Sequence, residues 1–146
     1  MSTLIYCPTD HAILLLACHT NDSLLRFPIE SGELPGLSLR IPGLTPINQL
    51  LLDRARTVLP AEVMPHLNIY QDFSERVEFN DQSKATVFLA SLIHETWQPP
   101  ETWPTLPLLI RSMGKNSNRI AYMKALQYLA SSKDEVKAIA PEHLLH

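Results

Sequence analysis

Apolar runs separated by turn-forming residues organise the first third of the chain. "STLIYC" and "HAILLLACH" predict two strands joined by a turn at Pro8-Thr9-Asp10. The second run is apolar on both faces from Ile13 to Cys18, which predicts a central strand of a sheet. "SLLRFPI" predicts a short strand that ends at Pro28, and "LSLRI" predicts another short strand inside a proline-rich loop.

Apolar positions at helical spacing follow this loop. Thr45 predicts a capping hydroxyl, and Pro46 fits the first position of a helix. Pro60 ends the pattern, because proline cannot continue a helix. The apolar face of this helix consists of Ile47, Leu50, Leu51, Ala55 and Val58.

The second half of the chain returns to alternation and then to helices. "HLNIYQDF", "ERVEFN" and "KATVFLASLI" each predict a strand. "LPLLIRSM" predicts a short helix closed by Gly114, and Ser117 or Asn118 can cap a last helix. The apolar face of that helix comprises Ile120, Met123, Leu126 and Leu129. This order of elements predicts a single α/β domain with a mixed central sheet and helices on both faces.

Composition narrows the class of protein. The 146 residues are 45% hydrophobic and 18% charged, which is typical of one globular domain. Residues 1–132 are expected to form this domain, and residues 133–146 a polar tail that can add one or two helical turns. The net charge is −3 and the basic residues are scattered, so general nucleic-acid binding is not expected.

No targeting or membrane segment is expected from this sequence. The N-terminus lacks a basic region, and the apolar run Ala12–Cys18 is too short to span a bilayer. A cytoplasmic location is expected, with Cys7 and Cys18 as free thiols. These cysteines, with His11 and His19, do not have the spacing of a zinc site.

One loop carries candidate chemistry, the stretch "RFPIESGELPG". It places Glu30 and Glu33 on either side of Gly32. Paired carboxylates can hold a hard divalent cation, whereas the alternative is a solvated turn with exposed charges.

This loop and the order of elements resemble the Nudix superfamily (hydrolases of nucleoside diphosphates linked to another group). In that family, strands lead into a loop similar to FPGG-x-(V/I)-E-x-GE, and a helix carrying Arg-Glu-apolar-x-Glu-Glu-x-Gly follows. Here the matching parts are Phe27-Pro28, the stretch Ile29–Glu33 and a helix over Pro46–Leu59. The resemblance implies an α/β/α sandwich in which "ATVFLASLI" is a later core strand and the last helices close the fold.

The sequence departs from the family pattern where the family binds metal. The glycine pair after Phe27-Pro28 is absent, and the helix "NQLLLDRARTVLP" has Arg56, Thr57 and Val58 in place of the paired glutamates. Asp53 is its only carboxylate. An arginine in such a place would repel a metal ion. We therefore expect no cofactor, or Mg²⁺ or Mn²⁺ if the protein is active, with Glu30, Glu33 and Asp53 as the candidate catalytic residues.

A second acidic stretch lies further along the chain. Asp72, Glu75, Glu78 and Asp81 surround Arg76. Glu75 and Glu78 join Glu30 and Glu33 as candidate metal ligands, since a downstream carboxylate completes the site in many Nudix-like enzymes. The alternative is a charged strand edge that discourages intermolecular pairing.

Two tryptophans in a stiff loop are candidates for ligand binding. Trp97 and Trp103 flank Pro99-Pro100 and can stack on a base or a peptide, and Arg26 is the third candidate ligand-binding residue. The alternative is that both rings cover the core beneath a rigid loop.

Three functional hypotheses follow. The first is a Nudix-like domain with an eroded catalytic motif that binds a nucleotide, a nucleoside diphosphate derivative or a protein partner without catalysis. The second is an active Mg²⁺-dependent hydrolase that uses unusual carboxylates. The third is a pure protein-interaction module, which can also form a homodimer.

Overall fold

A five-stranded mixed sheet forms the middle of the domain. The structure is a computed structural model that describes residues 6–19, 25–30, 34–94 and 97–131. The strands are β1 (His11–His19), β2 (Leu25–Arg26), β3 (Leu37–Arg40), β4 (Leu67–Glu78) and β5 (Lys84–Ile93). The helices are α1 (Ile47–Arg56), a 3₁₀ helix (Ala61–His66), α2 (Leu106–Ser112) and α3 (Arg119–Ser131).

Strand β1 organises the sheet, as its apolar sequence predicted. It pairs in parallel with β5 over its whole length, and β5 pairs antiparallel with β4. Along its other edge, β1 pairs antiparallel with β3 at its beginning and with β2 at its end. The residues Ala12–Cys18 are all buried, because both faces of this strand are covered by helices.

Two hydrophobic clusters lie on the two faces of the sheet. On one face, Ile13 and Leu15 of β1 pack in a cluster that includes Tyr122 and Leu126 of α3. On the other face, alternate residues such as Leu14 of β1 pack with Ile47 and Leu51 of α1. The domain therefore has three layers, with α1 on one side and α2 and α3 on the other.

The structure corrects two of the predicted elements. "HLNIYQDF" and "ERVEFN" are not separate strands but one strand, β4, whose register with β5 shifts between Tyr70 and Ser74. Helix α1 begins after Pro46 without a side-chain cap, because the Thr45 hydroxyl instead donates to the carbonyl of Pro42. The sequence of β4 had predicted a turn because the register shift after Tyr70, with polar residues around it, interrupts the alternation of the strand.

Other expectations fall partly or wholly outside the described residues. Of the predicted N-terminal strand, Tyr6 is described and forms one bridge with Pro46, whereas residues 1–5 are not described. The predicted tail at 133–146 also lies outside the described part of the chain. Cys7 and Cys18 are buried free cysteines, and burial raises the pKa of the Cys18 thiol. No described helix is long and apolar enough to cross a membrane.

Candidate functional site

The connection between β2 and β3 brings the candidate loop against the sheet. Phe27 is fully buried, and its amide donates to the carbonyl of Pro104 at 3.0 Å. At the other end, Gly36 has a φ of +119°, and a Cβ atom there would lie 2.5 Å from Cγ2 of Ile13. Only glycine fits this backbone conformation so close to β1. The loop is thus fixed to the sheet at both of its ends.

Helix α3, on the face of the sheet opposite α1, also contacts this loop. The hydroxyl of Tyr122 donates to the carbonyl of Pro35 at 2.6 Å. This side chain is fully buried, and burial raises the pKa of its phenol. A buried hydroxyl without a partner would be costly, so this hydrogen bond defines where the loop passes over α3.

Arg54 of α1 meets the candidate loop. Its Nη2 atom forms an ion pair with Glu30, while its Nε donates to the carbonyl of Ser38 at 2.9 Å. Its Nη1 donates to the hydroxyl of Thr57 at 2.5 Å. Only 18% of the Arg54 side chain is exposed, against 43% for Glu30. The guanidinium is therefore held from three sides, with the Glu30 carboxylate as one of its partners.

Asp53 makes different contacts from its neighbour. Its carboxylate accepts from Gln49 Nε2 and from Arg56 Nη1, both at 2.8 Å. Successive residues of an α-helix point about 100° apart, so Asp53 and Arg54 face different directions. The structure brings Glu30 to Arg54, and it leaves Asp53 bound within its own helix.

The described residues of this loop do not form a cluster of metal ligands. Within the described ranges, no three His, Cys, Asp or Glu residues lie close enough together to hold a metal ion. Glu33 lies outside the described residues. The described carboxylate of the loop, Glu30, faces the guanidinium of Arg54, which would repel a divalent cation.

The second acidic stretch is divided between the two faces of the sheet. Glu75 and Glu78 are three residues apart on β4, so their side chains point to opposite faces. Glu75 pairs with Lys124 of α3 at 2.9 Å, and Glu78 lies 4.0 Å from Lys84 of β5. The two candidate ligands are therefore not brought together. Asp81 lies in the turn after β4, and its hydrogen bonds with Ser83 lower its pKa.

The tryptophan loop packs as a unit with β2. The rings of Trp97 and Trp103 meet edge to face with centroids 6.2 Å apart, and both are half-buried against the core cluster on the α1 side. Arg26 Nη1 donates to the carbonyls of Glu101 at 3.1 Å and Trp103 at 2.9 Å. The structure therefore brings Arg26, Trp97 and Trp103 together. Nη1 of Arg26 is used within the protein, because it donates to the backbone of the tryptophan loop.

Two grooves of the described surface were not expected from the sequence. An apolar groove of about 600 Å³ lies between the end of α1 and the 3₁₀ helix. A smaller, polar groove of about 360 Å³ lies where β1 and β5 begin. The first is lined by Leu52, Arg56, Leu59, Ala61, Met64 and Pro65. The sequence had indicated Arg56 as the cation that replaces the metal ligands, whereas Arg56 lines this groove and Arg54 meets Glu30.

The layer order and strand pairing described above are shared with solved structures. Among solved structures, the chain is similar to a C. elegans Ap4A hydrolase in a binary complex. The TM-score is 0.57 and the identity 16%, over 84% of this chain and 99% of that chain. A second C. elegans Ap4A hydrolase structure aligns with a TM-score of 0.53 and 15% identity, over 82% of this chain and 98% of that one.

A third structure is a Nudix hydrolase from M. Smegmatis, RenU. It aligns over 84% of this chain and 86% of that chain, with 14% identity and a TM-score of 0.49. No protein-family model and no curated protein matches the sequence. At these identities the likeness concerns the fold alone.

Proposed function

We propose that the protein is a Nudix-like domain that binds a nucleotide or a nucleoside diphosphate derivative and does not hydrolyse it by metal catalysis. The observation that carries this proposal is the ion pair between Arg54 and Glu30. The helix that would have to present metal ligands to the loop presents a guanidinium to it. We place this activity in the cytoplasm, in keeping with the two free cysteines.

The repulsion between Arg54 and a metal supports the absence of catalysis. A divalent cation on Glu30 would lie a few ångströms from the guanidinium, which costs several kcal/mol at the effective dielectric of a protein surface. Moving the Arg54 side chain away from Glu30 would break its hydrogen bonds with Ser38 and Thr57. Phosphoryl chemistry at this loop would then lack the positive charge that metal ions supply to a diphosphate.

The class of ligand is supported by the fold and by the surface. Two of the similar solved structures are of C. elegans Ap4A hydrolase, and this chain shares their fold. Its described surface also offers an apolar groove with Arg56 at its wall and a polar groove with two cationic side chains. Concave sites with apolar walls and a few polar groups are the usual form of small-molecule sites.

A thermal-shift screen tests this function. ATP, ADP-ribose, Ap4A and a nucleotide sugar are each added to the protein with EDTA, with Mg²⁺ and with Mn²⁺, and the nucleotides are then recovered and analysed. We expect at least one nucleotide to raise the melting temperature equally in EDTA and in metal, and to be recovered intact.

The other hypotheses give different results in the same screen. A shift that requires metal, or the appearance of cleavage products, would contradict the proposal and support an active hydrolase that uses unusual carboxylates. No shift with any nucleotide would contradict it in favour of a protein-interaction module. In that case, a mass above that of the monomer with a second copy or a partner is expected.

A further inference from the structure

The polar groove lies at the end of the sheet where the parallel strands β1 and β5 begin. Three strands contribute to it or border it, because β5 lies between β1 and β4. At about 4.8 Å between neighbouring strands, the groove extends roughly 10 Å across the sheet. Its volume of about 360 Å³ suits a small molecule. Its lining residues are Pro8, Thr9, Asp10, His11, Arg76, Ser83 and Lys84.

Arg76 is the most distinctive residue of this groove. It is exposed on β4, and within the part of the chain that the structure describes it forms neither a hydrogen bond nor an ion pair. Arg54, in contrast, uses all sides of its guanidinium internally. The planar fork of an arginine is suited to two oxygen atoms of a phosphate group.

Lys84 adds a second cation on the same face of the sheet. It pairs in register with Glu78, and Arg76 pairs with Thr86, so Arg76 and Lys84 are diagonal neighbours across β4 and β5. The Lys84 ammonium lies 4.0 Å from the Glu78 carboxylate, which is longer than a charge-assisted hydrogen bond. Lys84 is thus in a loose ion pair with Glu78, and its ammonium can also donate to the anion of a ligand.

Three described acids lie near this cationic pair: Glu78 is ion-paired with Lys84, Asp81 lies in the turn after β4, and Asp10 precedes β1. Asp81 is engaged by the hydroxyl of Ser83 at 2.6 Å and by its amide at 2.9 Å. Asp10 is the one carboxylate among the described lining residues, and it comes just before β1, two strands away from Arg76. A ligand can thus meet cations on one side of the groove and an acceptor on the other.

We infer that this groove binds the phosphate group of a hydroxyl-bearing phosphate ester. Arg76 and Lys84 contact the phosphate oxygens, and Asp10 accepts a hydrogen bond from a sugar hydroxyl. The identification of the ligand as a nucleotide rests on the proposed function. The site itself is separate from the loop of Glu30 and from the metal chemistry that this loop would have served.

Calorimetric titration of the full chain tests this site with ribose 5-phosphate, inorganic phosphate and ATP. Arg76→Gln and Lys84→Gln are each expected to weaken binding of all three about tenfold or more. Asp10→Asn is expected to weaken ribose 5-phosphate and ATP but not inorganic phosphate. Arg76 is exposed, so these variants are expected to keep the wild-type melting temperature, which is checked alongside.

Arg40→Gln is the matched control. Arg40 pairs in register with His11 at the same end of the sheet but does not line the groove. We expect unchanged affinity in this variant. Equal weakening by Arg40→Gln and Arg76→Gln would overturn the site in favour of a diffuse electrostatic effect.

The remaining outcomes separate the site from the proposed function. If ATP binds and Arg76→Gln leaves its affinity unchanged, this site is wrong while the proposed function stands. If ribose 5-phosphate binds here but no nucleotide does, the site stands and the proposed function is wrong. If none of the three ligands binds, the site is wrong.

Discussion

Arg54 on helix α1 and Arg76 on strand β4 differ in what their guanidinium groups contact. Arg54 projects from α1 and meets Ser38, Thr57 and Glu30. Arg76 projects from β4 into a groove and contacts none of the described side chains by a hydrogen bond or an ion pair. The first region resembles a catalytic loop by sequence, and the second does not.

The contrast shows that the chemistry of a site follows from its contacts more than from the motif that surrounds it. The loop of Glu30 retains part of a Nudix-like motif, but its carboxylate already has a cationic partner within the protein. The groove of Arg76 matches no motif, yet its cations are available to a ligand. The predictions below challenge this distinction, beginning with the largest expected effect.

Gly36→Ala should give the largest loss of stability, because Gly36 lies at the end of the loop that contains Glu30. The new methyl group would meet Cγ2 of Ile13 at 2.5 Å, and alanine is strained at a φ of +119°. We expect a loss on the order of 3 kcal/mol in the free energy of unfolding, measured in urea.

Gly43→Ala is its control, because Gly43 also has a positive φ but has open space around it. Strain alone should cost about 1–2 kcal/mol there. An equal loss in both variants would contradict the close approach of the loop to β1.

Arg54→Gln compared with Arg76→Gln tests the difference between the two arginines directly. The former loses a hydrogen bond to a carbonyl and an ion pair with a partly exposed carboxylate, so we expect a loss of about 1–2 kcal/mol. The latter should change stability by less than about 0.5 kcal/mol. Urea denaturation of the two variants checks this order, and a reversed order would show that Arg76 is the structural residue.

Much of the fold was predictable from the sequence, since β1 and β5 are apolar runs and α1 has helical periodicity. The predicted face of α3 was partly wrong, because Ile120 is 63% exposed. The buried residues of α3 are Ala121, Tyr122, Ala125, Leu126 and Leu129. The continuity of β4 could not be predicted, because a bulge interrupts the alternation of apolar and polar residues in the same way as a turn does. The cap at Thr45 was wrong because its hydroxyl has a nearer acceptor in Pro42.

The site was less predictable than the fold. The sequence indicated that an arginine replaces the metal ligands, but it could not show that Arg54 rather than Arg56 meets Glu30. That contact joins residues 24 positions apart and depends on how the intervening loop is folded. The groove of Arg76 and Lys84 likewise requires the register of β4 with β5, which sequence periodicity does not specify.

Tyr122→Phe tests the link between α3 and the loop. It removes a buried hydroxyl that donates to the carbonyl of Pro35, so we expect a loss of about 1 kcal/mol in the free energy of unfolding. Tyr6→Phe is the control, since Tyr6 is half exposed and should change little. Equal stability of all three proteins in urea would contradict the anchoring of the loop by α3.

Asp81→Asn should give the smallest effect, and one that depends on pH. Hydrogen bonds with Ser83 lower the pKa of Asp81 below its usual value of 3.8. A lowered folded-state pKa gives stability that is present above the usual value and is lost as the pH falls below it. The wild type should therefore exceed the variant slightly at pH 7, and the gap should close in acid. Chemical denaturation at several pH values measures this gap, and a gap that widens in acid would contradict the assignment.

The most direct test of the account is a titration of Mn²⁺ into the full chain. Electron paramagnetic resonance measures the concentration of free Mn²⁺ at each step, and so the amount that the protein binds. With Arg54 on Glu30, we predict no stoichiometric site at micromolar Mn²⁺, and the same result for Glu30→Gln. A stoichiometric site in the wild type that Glu30→Gln abolishes would contradict the central claim that Arg54 occupies the place of the metal.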